Sequence, residues 1–173
     1  MRNSRQGGFT LIELMIVIAI IGIIAGIGGT ALLSFLPNMR LQSTARDIFS
    51  TMIRAKSEAI QRGENVTLHF DAAASNYSLF VDRGSGTPAN DGNQLIDPGE
   101  PVLIAATPLP VGVAFDPTVS GDGISFADNT LIFTQRGIPV GAGAAALRAT
   151  DAAGNVIRQR TVVVSFAGRI NME

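Results

Sequence analysis

Glu13 has the clearest chemical potential in this sequence, because it is the one charged side chain in an apolar run from Phe9 to Leu36. A carboxylate inside an apolar helix costs about 2.5–3.5 kcal/mol on membrane-insertion scales, so it should have a partner or a function. The alternative is a carboxylate that reaches the interface by snorkelling, since it lies only one turn from the helix end.

A junction of small residues, Gly7-Gly8, separates a short basic leader with Arg2 and Arg5 from Phe9 and the apolar run. A secretory signal peptide has the opposite order, because its apolar core precedes the cleavage site and is discarded. Cleavage between Gly8 and Phe9 would leave the apolar run on the mature chain. As a helix, the uncharged stretch from residue 14 to 36 would extend roughly 34 Å, enough to cross a bilayer.

This chain has few residues suited to catalysis. There is no cysteine, His69 is the only histidine, and no nucleophile elbow or phosphate-binding loop is present. His69 lies in an alternating run, where an outward-facing or satisfied histidine is more common than a catalytic base. The sequence therefore predicts no enzyme activity and no cofactor.

An acidic segment, residues 82–100, is the best candidate for binding a cation. Its oxygen-bearing side chains include Asp82, Asp91, Asn93, Asp97 and Glu100. Calcium takes six to eight oxygen ligands, but the segment lacks the EF-hand pattern. A solvated, turn-rich connection is therefore favoured, and no metal is expected.

A long helix, from about Thr10 to Arg62, must position the N-terminal groups. After Pro37 the apolar residues recur every three or four positions, at Leu41, Ala45, Ile48, Met52, Ala55 and Ala59. Arg62 and Gly63 form a plausible helix end. The helix is thus predicted to have an apolar half, residues 9–37, and an amphipathic half, residues 38–63, whose stripe packs on a sheet.

The remainder of the chain, residues 64–173, is predicted to be rich in short β-strands separated by turn residues. The expected strands cover residues 65–70, 77–81, 101–106, 112–115, 123–126, 131–134, 144–150 and 156–166. Turns at these spacings indicate an antiparallel sheet or sandwich. The expected fold class is α+β, with the long helix packed on that sheet.

The spacing of Gly8, Phe9 and Glu13 resembles the type III signal of type IV prepilins and type II secretion pseudopilins. The resemblance implies that a prepilin peptidase removes residues 1–8 and that the new amine of Phe9 is N-methylated. It further implies that Glu13 of an incoming subunit pairs with the Phe9 amine of a neighbour. Two charges that are expensive alone in hydrocarbon become tolerable together.

The C-terminal pattern is similar to the GspH/FimT family of minor pilins and pseudopilins, because Arg136-Gly137 follows one strand and Gly168-Arg169 follows the last hairpin. The resemblance implies a pilin-like subunit of a type II secretion pseudopilus or a type IV pilus, in an initiation or tip complex. Its partners would be other subunits and the inner-membrane assembly platform.

An alternative function follows from relatives that bind DNA for natural transformation through basic residues near the C-terminus. The candidates here are Arg158, Arg160 and Arg169. Loss of the leader leaves 11 basic against 14 acidic side chains, a balance of −3. This balance argues against a nucleic-acid partner.

Charge also predicts the topology. Basic residues before the helix and a long domain after it place the N-terminus in the cytoplasm and the β-rich domain in the periplasm. We therefore expect a single-pass protein of the bacterial inner membrane. Because the chain has no cysteine, the periplasmic domain must fold without disulfides.

Overall fold

The computed structural model describes residues 9–83, 94, 96–151 and 153–173, with side chains for all of these except 27–34. One long helix is followed by eight strands and a short 3₁₀ turn. In chain order these are α1 (Leu11–Arg62), β1 (Val66–Asp71), β2 (Asn76–Val81), β3 (Val102–Pro108), β4 (Val113–Phe115), the 3₁₀ turn Ala127–Asn129, β5 (Thr130–Phe133), β6 (Gly143–Thr150), β7 (Val156–Val164) and β8 (Ile170–Met172).

The chain divides into two compact units, with the boundary between Leu36 and Pro37. In the first unit, the large apolar side chains of α1 up to residue 26 are exposed around the whole helix. Within the part of the chain that the structure describes, no helical stretch combines the length and the apolar character needed to cross a bilayer.

In the second unit, the amphipathic part of α1 buries the predicted stripe completely. The six stripe residues have no solvent-exposed surface: Leu41, Ala45, Ile48, Met52, Ala55 and Ala59. The helix ends as predicted, because Gly63 adopts φ +67° and donates its N–H to the carbonyl of Ala59 at 3.0 Å. Glycine is the usual residue for this left-handed helix end.

The strands form two antiparallel sheets, in the orders β3-β2-β1-β5 and β4-β6-β7-β8. Alternate residues of β1 enter the core, namely Val66, Leu68 and Phe70. These join the helix stripe and the inner residues of β6 and β7 in one continuous apolar cluster. The predicted α+β fold, a long helix on antiparallel sheets, is confirmed.

One strand prediction is wrong, and one strand was not predicted. Residues 123–126 form no strand and make only a single bridge, from Ile124 to Ala145. Gly123 has φ +91°, and Asp122 accepts the N–H of Ile124 at 3.0 Å, so a turn replaces extended backbone. Conversely, β8 was not predicted, because three residues are too few for a pattern to identify a strand, and this strand depends on pairing with β7.

Candidate functional site

The start of α1 is closed by reciprocal hydrogen bonds between Thr10 and Glu13. The backbone N–H and the hydroxyl of Thr10 donate to Glu13 Oε2 at 2.9 and 3.0 Å, and the N–H of Glu13 donates to Thr10 Oγ1 at 3.3 Å. This is a capping box, which satisfies donors that a helix start leaves unpaired. Glu13 therefore has a local partner within its own chain.

The surroundings of this cap are apolar and open. The side chain of Phe9 is 90% exposed, and that of Leu11 is 76% exposed. Gly8, the other residue of the expected cleavage junction, lies outside the described residues. The exposed apolar surface continues along α1 through large side chains up to Ile24. An apolar surface of this extent marks a site of association with membrane or protein.

A second feature joins the C-terminal part of α1 to two tight turns, Thr134–Ile138 and Ser165–Arg169, which we call the paired turns. In the first, Gly137 donates to the carbonyl of Thr134 at 2.7 Å and Thr134 donates to that of Ile138 at 2.9 Å. The second repeats this pattern, with the corresponding bonds at 2.8 and 2.9 Å. Each turn is a three-residue hairpin loop with glycine in the left-handed region.

The paired turns pack closely on α1 and on each other. A Cβ atom at Gly137, where φ is +71°, would lie 2.6 Å from Cδ1 of Ile60. A Cβ atom at Gly168 would lie 3.1 Å from Cδ of Pro139, and Lys56 Nζ donates to the carbonyl of Gly168 at 3.0 Å. The glycines of the C-terminal pattern therefore allow the turns to approach the helix.

The acidic segment is folded by bonds to its own backbone. Glu100 is buried and accepts the N–H groups of Arg83 and Asp97 at 2.8 and 2.9 Å, while buried Asp82 accepts that of Gln94 at 3.0 Å. No group of three or more acidic or histidine side chains suited to a metal occurs among the described residues. The candidates Asp91 and Asn93 lie outside those residues.

The three candidate arginines do not form one patch. Arg158 and Arg160 lie opposite Ala149 and Leu147 of β6, whereas Arg169 follows β7 within the second of the paired turns. About six residues of strand separate Arg158 from the end of β7, which is roughly 20 Å. A duplex would therefore have to contact both ends of this sheet to engage all three.

His69 lies on the face of β1 that points away from the core, between the buried residues Leu68 and Phe70. Its Nδ1 atom is buried and has no hydrogen-bond partner among the described residues.

Two residues with defined roles were not predicted. Thr10 was detectable from the Thr-x-x-Glu spacing of a capping box, whereas no local signal identifies Lys56 as the contact of Gly168.

Two family models match this sequence. The Prokaryotic N-terminal methylation motif covers residues 3–29, and the model described as Type II transport protein GspH covers residues 44–168. The first of these contains the Thr10–Glu13 cap. The second contains the helix stripe from Ala45 onward and the paired turns up to Gly168.

Curated relatives are pilins. The chain is 35% identical over 172 residues to the Pilin-like protein PilA1 of Thermus thermophilus, covering 96% of this chain and 97% of that protein. It is 32% identical over 135 residues to the Type IV major pilin protein PilA of Myxococcus xanthus, covering 75% of this chain and 56% of that protein.

Among solved structures, the minor pseudopilin EpsH from the type 2 secretion system of Vibrio cholerae has a TM-score of 0.54. The match covers 78% of this chain and 96% of that structure at 12% identity. This comparison supports the fold.

Proposed function

Because this chain belongs to the GspH family and is a subunit of a type IV pilus or a type II secretion system, we propose that its activity is assembly into the filament. Pilins and pseudopilins are structural proteins, and assembly requires burial of a helix rather than a catalytic group. We further propose that the subunit acts in the initiation or tip complex.

The observation that carries the proposal is the exposed apolar surface of α1. From Phe9 to Ile24 the large side chains are about half exposed or more, on every side of the helix. Leaving such side chains in water costs about 1.5–3 kcal/mol each relative to burial. The inner membrane would cover this surface before assembly, and the helices of neighbouring subunits would cover it afterwards.

We propose that a prepilin peptidase cleaves between Gly8 and Phe9, that the new N-terminus is methylated, and that the inner-membrane assembly platform receives the subunit. Residues 9–37 would serve as the membrane and assembly helix, with the N-terminus cytoplasmic. Residues 38–63 would form the amphipathic half and residues 64–173 the periplasmic β-rich domain. The match of the methylation motif to residues 3–29 supports this processing.

Glu13 would exchange partners during assembly. In the single chain, Thr10 supplies its hydrogen bonds. In the filament, the carboxylate would pair with the Phe9 amine of a neighbouring subunit, because a carboxylate and an ammonium group buried together cost less than either one buried alone. The position of this pair would fix the axial register between subunits.

The test is incorporation of Glu13→Gln into filaments, combined with mass spectrometry of the mature chain. Glutamine keeps an acceptor for the capping box but carries no charge, so the helix start is preserved while the ion pair is lost. The matched control is Glu58→Gln, which alters a glutamate on the same helix that pairs with Arg54 and Arg62.

We expect a mature chain that begins with N-methyl-Phe9, normal incorporation of Glu58→Gln, and reduced incorporation of Glu13→Gln. A bulky residue in place of Gly8 should prevent cleavage. A mature protein that begins at Met1 in cells with an active prepilin peptidase would refute the processing. Normal incorporation of Glu13→Gln would refute the role of the ion pair.

A further inference from the structure

The paired turns present a basic and apolar surface. Phe166 is 76% exposed and Ile138 is 52% exposed, and the exposed residues Arg136 and Arg169 stand beside them. Neither arginine forms an ion pair with any residue in the part of the chain that the structure describes. Exposed aromatic and arginine side chains are the types that contribute most to protein interfaces.

A cleft of about 630 Å³ lies elsewhere in the same unit, between the β1–β2 turn, β4 and the loop before β5. We call it the aspartate cleft, because Asp71, Asp122 and Asp128 line it together with the exposed apolar residues Ala73 and Pro117. Pockets of roughly 300–1,000 Å³ bury most of a small ligand, so this cleft has room for an aromatic ring and a guanidinium group.

The polar groups of the cleft are not all satisfied within the chain. Asp128 has no hydrogen bond or ion pair among the described residues. Nδ1 of His69 and Nε of Arg148, two further lining residues, are buried without a partner there. Because an unpartnered buried nitrogen costs about 1–3 kcal/mol, a ligand that brings acceptors as well as a cation is stabilised here.

The two surfaces lie at opposite ends of the strands. The first of the paired turns follows Phe133, which pairs with Val66 at the start of β1. The aspartate cleft includes Asp71, at the other end of β1, about 17 Å away along a strand of six residues. The arginines of the paired turns and the aspartates of the cleft are therefore at opposite ends of β1.

We propose that the paired turns of one subunit dock into the aspartate cleft of a second copy of this chain. Phe166 would enter against the exposed apolar lining residues Ala73 and Pro117. Arg169 would meet the aspartates, and turn carbonyls would supply acceptors. Because the two surfaces differ and lie at opposite ends, the contact joins copies head to tail within the proposed initiation or tip complex, and it does not form a two-fold symmetric dimer. This inference rests on the proposed assembly function.

Site-specific photocrosslinking of the full chain in cells tests the contact. Phe166 is replaced by the photoreactive p-benzoylphenylalanine, which keeps an aromatic ring at that position, and two copies with different tags are co-expressed. We expect an adduct between the two tagged copies that maps to the peptides around Asp71 and Asp128. The control places the same reagent at Val111, which is 84% exposed and belongs to neither surface.

Charge variants give the second measurement. Asp128 has a left-handed backbone, φ +50°, which asparagine also tolerates. Asp128→Asn should therefore keep the turn and lower the yield of the crosslinked adduct about two- to fivefold. Arg169→Glu should lower it at least as much, and Arg169→Glu combined with Asp128→Arg should restore part of it. Equal yields in all these variants would overturn the proposed contact.

The same experiment separates this inference from the assembly function. If the Phe166 photoreactive chain enters filaments but crosslinks to another protein, to another surface, or not at all, the head-to-tail contact is wrong and assembly stands. If the chain is absent from filaments while a control pilin is present, the assembly function fails as well.

Discussion

Gly137→Ala should destabilise the second unit by more than its backbone strain alone. Glycine at φ +71° avoids about 1–2 kcal/mol that an L-residue loses in the left-handed region. The added methyl group would also lie 2.6 Å from Cδ1 of Ile60. Because this side chain is half exposed and can shift, the steric cost is at the lower end of that for overpacking, about 1 kcal/mol. The sum is about 2–3 kcal/mol, or a melting temperature lower by roughly 6–9 °C.

Tyrosine fluorescence of the full chain in mild detergent measures this shift. Tyr77 is the only tyrosine, the chain has no tryptophan, and the Tyr77 side chain is buried in the second unit. The control Gly154→Ala has the same kind of backbone, φ +86°, with open space around its Cβ position. It should lose only the strain, about 1–2 kcal/mol.

A double-mutant cycle isolates the steric contribution. Ile60→Ala removes the atom that the new methyl group meets, and because Ile60 is 53% exposed, its loss alone should change stability little. Gly137→Ala in the Ile60→Ala background should therefore cost no more than Gly154→Ala. If Gly137→Ala matches Gly154→Ala in the unaltered chain, or if Ile60→Ala gives no relief, the close packing of the turn on α1 is refuted.

The pKa of Asp151 is lowered, first because its carboxylate accepts a hydrogen bond from the Asn155 side chain. The stability that this carboxylate contributes to the folded state is therefore lost as pH falls below its ordinary pKa of 3.8. In Asp151→Ala, the melting temperature should fall less steeply over this acidic range. The acidic segment should not require calcium, so melting temperatures in calcium and in chelator should agree, whereas a concentration-dependent rise would indicate a site. Duplex DNA should bind only weakly at physiological salt. The DNA alternative would be supported by micromolar binding that weakens steeply with added salt. That binding would also have to be lost on charge reversal of Arg158, Arg160 and Arg169.

Local chemistry was sufficient to predict the helix and its boundaries. The stripe from Leu41 to Ala59 could be read because a helix repeats every 3.6 residues, and the end at Gly63 follows from the tolerance of glycine for a left-handed backbone. The β6–β7 hairpin was predictable for a similar reason. Alternating strands flank Asp151 and Gly154, and the Asp151 carboxylate accepts the N–H of Asn155 in the turn.

Elements that depend on contacts with another segment were not predictable in this way. The alternation of residues 123–126 indicated a strand, but contacts with Asp116 and Phe115 require a turn, because a Cβ at Gly123 would lie 2.5 Å from the Asp116 nitrogen. The short strand β8 exists only through its bonds to β7. In both cases the deciding contact joins two segments of the chain, and the residue pattern of neither segment alone indicates it.

The same division applies to the functional residues. Sequence alone identified the N-terminal motif and the charge of Glu13, because Gly8, Phe9 and Glu13 lie within six consecutive residues. Only the tertiary structure brought Lys56 to Gly168, across 112 positions of sequence, and placed three aspartates around one cleft. Such contacts depend on how the sheets pack on each other and on the helix, which no local pattern of residues encodes.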